Sequence, residues 1–174
     1  MTVRILTTND AEALRDLRLL ALHTTPEFFT ADTARETRRT LRQWAAVARE
    51  TSRHAIFGGF RDGKLDCMCG AKRFSGDPEG KTAYWHSDFR NPENRNAAAF
   101  WQMQRLRTEW CLNRGMTEAV FTIHTCNETA LSVYVRNGTE IFKSEPRRFA
   151  DGQIATAYWC RRKLSQASTL TAAA

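Results

Sequence analysis

The 174-residue chain predicts an α/β fold of the α+β kind, and three observations carry the prediction. Apolar and polar residues alternate in several short runs, as they do in strands with one face buried. An Asp62-Gly63 pair between two such runs suits a two-residue hairpin turn. Between Thr82 and Gly138 the pattern runs strand, helix, strand, helix.

The elements follow in order. Val3 to Thr7 alternates as a first strand, and Asn9 or Asp10 caps a helix over AEALRDLRLLALHT, with Leu14, Leu17, Leu20 and Leu22 as its apolar stripe. A second helix is expected over about Ala34 to Thr51. Within it Arg35, Arg38, Arg39 and Arg42 recur at three- and four-residue intervals, which predicts one basic helical face. His54 to Phe60 and Leu65 to Phe74 form the hairpin, and the Gly- and Pro-punctuated loop Ser75 to Lys81 leads to a strand over Thr82 to Phe89. These three strands make an antiparallel meander. A helix then runs from near Arg95 to Gly115, a residue suited to a helix C-terminus. Ala119 to His124 reads as a strand and Asn127 to Gly138 as a capped short helix. EIFKSEPRRF and QIATAYWCRRKL close the chain as two strands around Asp151-Gly152.

Composition bounds the function classes. Hydrophobic content of 42% supplies the core of one domain, placed at residues 1–164, with 165–174 as a flexible C-terminal tail. No apolar run approaches the length of a membrane span, and the first residues lack a secretory signal pattern, so a cytoplasmic location is expected. Five scattered cysteines suit reduced thiols; Cys67 and Cys69 share one strand face without further ligands at metal spacing, and no metal is expected. The net charge is +7, and the first 50 residues are close to balance, so the excess lies beyond them and favours an acidic partner or substrate. The chain has no G-x-x-x-x-G-K-S/T loop, which argues against a P-loop kinase or nucleotide hydrolase.

Pro92, Glu93, Arg95, Asn127, Ala130, Tyr134 and Gly138 fall in register with a known pattern, V-x-P-E-x-R-G-x-G-x-G followed by N-x-x-A-x-x-x-Y-x-x-x-G-F. The chain thereby resembles the GNAT N-acetyltransferase superfamily. LRLLALHTTPEFFTAD also looks like the opening of many of its members. The resemblance implies a central mixed sheet of six to seven strands, flanked by helices, with a splay between the fourth and fifth strands that holds a pantetheine arm. It departs at the glycine-rich turn, where Asn96, Ala97, Ala98, Ala99 and Phe100 follow Arg95. In the family that turn presents backbone N–H groups and a helix dipole to the pyrophosphate of CoA. The donor is therefore expected to be either acyl-CoA or an acyl-phosphopantetheine on an acidic acyl carrier protein.

The resemblance assigns Arg95, Asn96, Ala97, Ala98 and Asn127 to donor binding and Tyr134 to protonating the departing thiolate. An ordinary phenol pKa near 10 keeps such a tyrosine a proton donor. It also places Phe28 and Phe29, in the loop after the first helix, at the acceptor pocket. Alternation along Thr82 to Phe89 predicts Tyr84, His86 and Asp88 on one strand face. Tyr84 then lines the substrate site, His86 serves as base, and Asp88 holds its imidazole or binds the acceptor ammonium. His124, at the end of its strand, is the second candidate base.

The expected activity is N-acyl transfer from a pantetheine thioester to a primary amine by direct attack in a ternary complex, with a small-molecule amine as acceptor. Two alternatives stand beside it: an aminoacyl-tRNA-dependent transferase, for which tRNA would be the partner, and a non-catalytic binding module. Pairing through the closing strands, common in the resembled family, makes a homodimer a further expectation.

Overall fold

The structure is a computed structural model that describes residues 1–94 and 97–165. A seven-stranded sheet in the order β1-β2-β3-β4-β5-β7-β6 forms its centre. The strands are β1 (Thr2–Ile5), β2 (His54–Arg61), β3 (Lys64–Arg73), β4 (Thr82–Arg90), β5 (Glu118–His124), β6 (Glu140–Arg148) and β7 (Ile154–Lys163). All neighbours pair antiparallel except β4 and β5, which are parallel.

Several of the expected local signals act where they were placed, although Asp10, at the start of α1, engages its carboxylate with Arg4 and Thr7 and makes no side-chain cap bond to that helix. Asp62 and Gly63 turn the β2-β3 hairpin at φ of 49° and 78°. Helix α1 (Ala11–Thr24) follows a short 3-10 turn, and its buried stripe is Ala11, Leu14, Leu17, Ala21 and Leu22. Leu20 is exposed instead, because helical spacing sets it on the flank of the stripe that Leu14, Ala21 and Leu22 define. The long second helix divides into α2 (Thr33–Thr37) and α3 (Leu41–Ala48). Thr40 causes the break: its hydroxyl accepts from Gln43 N while the Gln43 side chain accepts from Thr40 N, and this capping box starts a new helix. Arg35, Arg38, Arg39 and Arg42 therefore do not share one helical face. Helix α4 (Ala97–Leu112) ends before Gly115 at φ 76°. Helix α5 (Glu128–Arg136) starts under an Asn127 cap and stops before Gly138 at φ 78°.

The sheet separates two apolar layers. Helices α4 and α5 cover one face through Met103, Trp110, Cys111 and Tyr134 against Phe57, Trp85 and Phe121. Helices α1 and α3 cover the other through Leu14, Leu17 and Trp44 against Ile56, Met68 and Phe89. Cys67 and Cys69 lie together in the first layer, as alternation requires. No described helix is long and apolar enough to cross a membrane.

Candidate active site

β4 and β5 pair through only three steps, ending at Tyr84↔Val120. Beyond that point they part, and a cavity of about 330 Å³ opens between them. Tyr84 stands at the closed end, its hydroxyl 3.4 Å from that of Thr122 on β5. Asn127, Ala130 and Tyr134 line the cavity from the α5 side, and Phe28, Arg18 and Lys72 from the α1 side.

A bulge in β4 rearranges the side chains here. Met68 pairs with Phe89 and Gly70 with His86, so Cys69 alone faces two β4 residues, Ser87 and Asp88. Ser87 takes φ 61°, in the left-handed region. The extra residue reverses the alternation, so the expectation that Tyr84, His86 and Asp88 share a face is corrected. Tyr84 and His86 stay together on the α1 side, whereas Asp88 turns to α4 and α5.

On that side Asp88 enters a buried network. Arg107 of α4 donates to both its carboxylate oxygens at 2.6 and 3.1 Å, Gln104 Nε2 donates at 3.2 Å, and Tyr134 donates its hydroxyl proton to Oδ2. Arg107 is fully buried, also donates to Gln104 Oε1 and to the Tyr134 oxygen, and lies 3.8 Å over the Trp85 ring. Burial opposes the guanidinium charge, but Asp88 outweighs it and holds Arg107 protonated above its ordinary range. Burial, and then the Asp88 charge, push the Tyr134 phenol well above 10. Sequence reading missed Arg107 and Gln104. The available signal was an arginine on the same stripe of α4 as Met103, Trp110 and Cys111, a core position where a charge needs a partner.

His86 is thus not held by Asp88. Its Nδ1 lies 3.0 Å from Ser87 Oγ, its ring stacks on His54 at 5.7 Å, and its buried Nε2 has no hydrogen-bond partner among the described residues. Burial, then His54 and Lys72, lower its pKa well below 6.5, so the imidazole is neutral at pH 7. The ring also lies over Gly70, where a Cβ would come within 2.4 Å of His86 Cε1. Gly70→Ala is expected to displace the imidazole and cost about 1 to 3 kcal/mol, measured by urea unfolding. A loss under roughly 0.5 kcal/mol, the size of a neutral surface change, would show that the ring moves freely.

His124 also borders the cavity, 4.5 Å from the Phe149 ring and 6.3 Å from Phe28. Its Nδ1 accepts from Cys126 N at 2.9 Å, which leaves the ring proton on Nε2. Phe28 is exposed at the mouth of the cavity. Phe29 is buried against Phe89 and Arg18, and its carbonyl accepts from Ala150 N, tying the loop after α1 to the β6-β7 turn. The Asn127 side chain caps α5 by accepting from Ala130 N. Arg95 and Asn96 lie outside the described residues. Ala97 begins α4 and Ala98 is exposed in its first turn, while the Phe100 ring packs against Trp101 and under the Arg90 guanidinium. Of the site residues that the sequence predicts, Phe28, Phe29, Tyr84, His86, Asp88, His124, Asn127 and Tyr134 border the cavity. No group of three or more His, Cys, Asp or Glu among the described residues is placed to hold a metal ion.

No protein-family model matches the chain, and no curated protein matches it in sequence. Solved structures do match it in fold. The acetyltransferase of GNAT family from Streptococcus pneumoniae superposes with a TM-score of 0.79 at 16% identity, covering 94% of this chain and 99% of that one. Ribosomal-protein-alanine N-acetyltransferase from Brucella melitensis gives 0.76 at 14% identity, over 94% and 100% of the two chains. PaiA N-acetyltransferase from Thermoplasma acidophilum, solved in complex with coenzyme A, gives 0.70 at 15% identity, over 94% and 99%. The chain has the GNAT fold, with the parallel β4-β5 pair and the splay that the sequence resemblance implied.

Proposed function

We propose that the chain is an N-acyltransferase that moves an acyl group from the pantetheine thioester of an acyl-CoA to a primary amine. The carrying observation is the β4-β5 splay, which opens onto a cavity bordered by Tyr134 on one side and aromatic side chains on the other. An extended arm fits such a gap by pairing with β4 as an added strand would. Asn127, whose oxygen is committed to the α5 cap, keeps its amide N–H groups for that arm. Ala98, exposed in the first turn of α4, leaves room for a phosphate to approach, and Phe100 is turned into packing with Trp101.

The amine lone pair attacks the acyl carbonyl carbon; the C–N bond forms, the C–S bond breaks, and the sulfur leaves with its electron pair and takes a proton. Tyr134 supplies that proton. Its raised pKa keeps the hydroxyl protonated, and Arg107 Nη2, 3.3 Å from the phenol oxygen, stabilises the charge left behind. The attacking nitrogen becomes acidic as it bonds, and His86, neutral at pH 7 and on the lining of the cavity, is the candidate proton acceptor. The Nδ1 of His124, the other candidate, is already engaged by the Cys126 N–H.

Calorimetry with CoA, acetyl-CoA and phosphopantetheine tests the donor. CoA and acetyl-CoA are expected to bind at least tenfold tighter than phosphopantetheine, a gain of about 1.4 kcal/mol from the nucleotide diphosphate. Equal binding would transfer the donor role to an acidic acyl carrier protein. No binding at all, with activity that needs charged tRNA and falls steeply with salt, would replace the reading by aminoacyl transfer.

A further inference from the structure

The α1-side wall of the cleft carries more positive charge than its one acid among the described residues, Glu36, balances. Arg18 of α1 is only 11% exposed, its Nε lies 3.6 Å from Glu36, and its buried Nη1 has no hydrogen-bond partner among the described residues. Glu36 does not satisfy Arg18 alone, since Arg39 also holds it at 3.1 Å. Lys72 of β3 stands 5.3 Å over the Tyr84 ring and makes no ion pair among the described residues. Arg18 and Lys72 border both the central cavity and an adjoining one of about 530 Å³ between α1, α3 and the sheet.

The other charges nearby do not cancel this pair. Asp88, the acid that lines the central cavity, is turned toward α4 and held by two bonds from Arg107. Between the cations runs a wall of parallel rings: His54 on His86 at 5.7 Å, His86 on Tyr84 at 6.3 Å, and Tyr84 on Phe74 at 6.2 Å. Burial, then Lys72, lower the His54 pKa, and His86 is lowered likewise, so this wall stays neutral and does not compete for an anion. A buried guanidinium nitrogen without an acceptor is costly unless a ligand supplies one. Two cations beside a neutral ring stack repel a polyamine and accept a carboxylate.

We propose that the acceptor is an amine that also carries a carboxylate, which Arg18 and Lys72 bind on the α1 side while the amino group reaches the β4-β5 gap. The inference rests on the acyltransferase reading and narrows its acceptor to amino acids and their analogues.

The test separates the anion site from the reaction. N-acetyl-phenylalanine and N-acetyl-phenylalaninamide are titrated calorimetrically into the wild-type protein and into Lys72→Met and Lys72→Arg. Lys72 is chosen because Arg18 also packs on Phe29, so that its loss endangers folding. The carboxylate is expected to bind at least tenfold tighter than the amide, with the preference lost in Lys72→Met and kept in Lys72→Arg. Equal binding of the two probes, binding of neither, or a preference unchanged in Lys72→Met overturns the assignment. In parallel, acetyl transfer from acetyl-CoA to phenylalanine, phenylalaninamide and spermidine is followed by thiol release. Transfer that favours spermidine or the amide overturns the anionic acceptor and leaves the transferase standing. A retained carboxylate preference without transfer to any amine overturns the transferase reading, and with it the acceptor role of the site.

Discussion

Arg107→Leu is expected to lower stability by about 3 kcal/mol, the lower end of the range for breaking a buried ion pair. The lower end applies because Asp88 is 28% exposed and recovers some hydration, whereas Arg107 is fully buried. The substitution removes both bonds to the Asp88 carboxylate, the bond to Gly70 O and the cover over Trp85, and leaves Asp88 facing Tyr134 without a cation. In a chain of this size such a loss lowers the melting temperature by roughly 6 to 12 °C. Arg107→Lys keeps the charge but cannot form the two-pronged contact, so an intermediate loss is expected. Urea unfolding of the two variants measures both. A Leu variant as stable as the wild type would mean that Asp88 finds other partners and that the network is incidental to the fold.

Tyr134→Phe is expected to lower kcat by a factor of about 10² or more, the usual contribution of a placed general acid, while KM for the donor changes little. The ring keeps its place against Phe121 at 4.6 Å, so donor binding and folding survive. Lost with the hydroxyl are the proton for the leaving thiolate and one hydrogen bond to Asp88, the latter worth about 1.5 to 3 kcal/mol for a bond to a charged group. Steady-state kinetics with a thiol-release assay decide the matter. Unchanged kcat, in a variant whose stability has fallen by the hydrogen-bond amount, would make Tyr134 a structural member of the Arg107 network only. A kcat loss that is recovered when the leaving group is an activated thiol, which departs without a proton, would tie the loss to the acid role.

The two variants also show where sequence reading reaches and where it stops. Tyr134 and Asn127 were legible because their spacing along one short helix matches a family pattern, and a helix carries its own caps: Asn127 at the start and Gly138 in the left-handed region at the end. The break between α2 and α3 was equally local, written in the Thr40 and Gln43 capping box, but the arginine periodicity masked it. Arg107 was passed over because helix α4 mixes polar and apolar residues, so that the stripe of Met103, Arg107, Trp110 and Cys111 is faint in the sequence although its spacing is helical. Nothing in the sequence singles out Lys72 or Arg18, which come from elements far apart in the chain; only the sheet and α1 together place them on one cavity.

The sequence by itself determined the order and type of the elements, the hairpin at Asp62-Gly63, the caps of α5 and the family pattern from Pro92 to Gly138, because each of these is settled by neighbours within a few residues. Only the tertiary structure decided which way Asp88 points. That depends on how β4 pairs with β3, where Cys69 opposes both Ser87 and Asp88 and the extra residue reverses a face. An alternation rule assumes an unbroken ladder, and a bulge is a property of two strands and not of one. The same pairing hands Asp88 to Arg107 and Tyr134 and leaves His86 with Ser87, dividing into two sites what a single strand presents as one row.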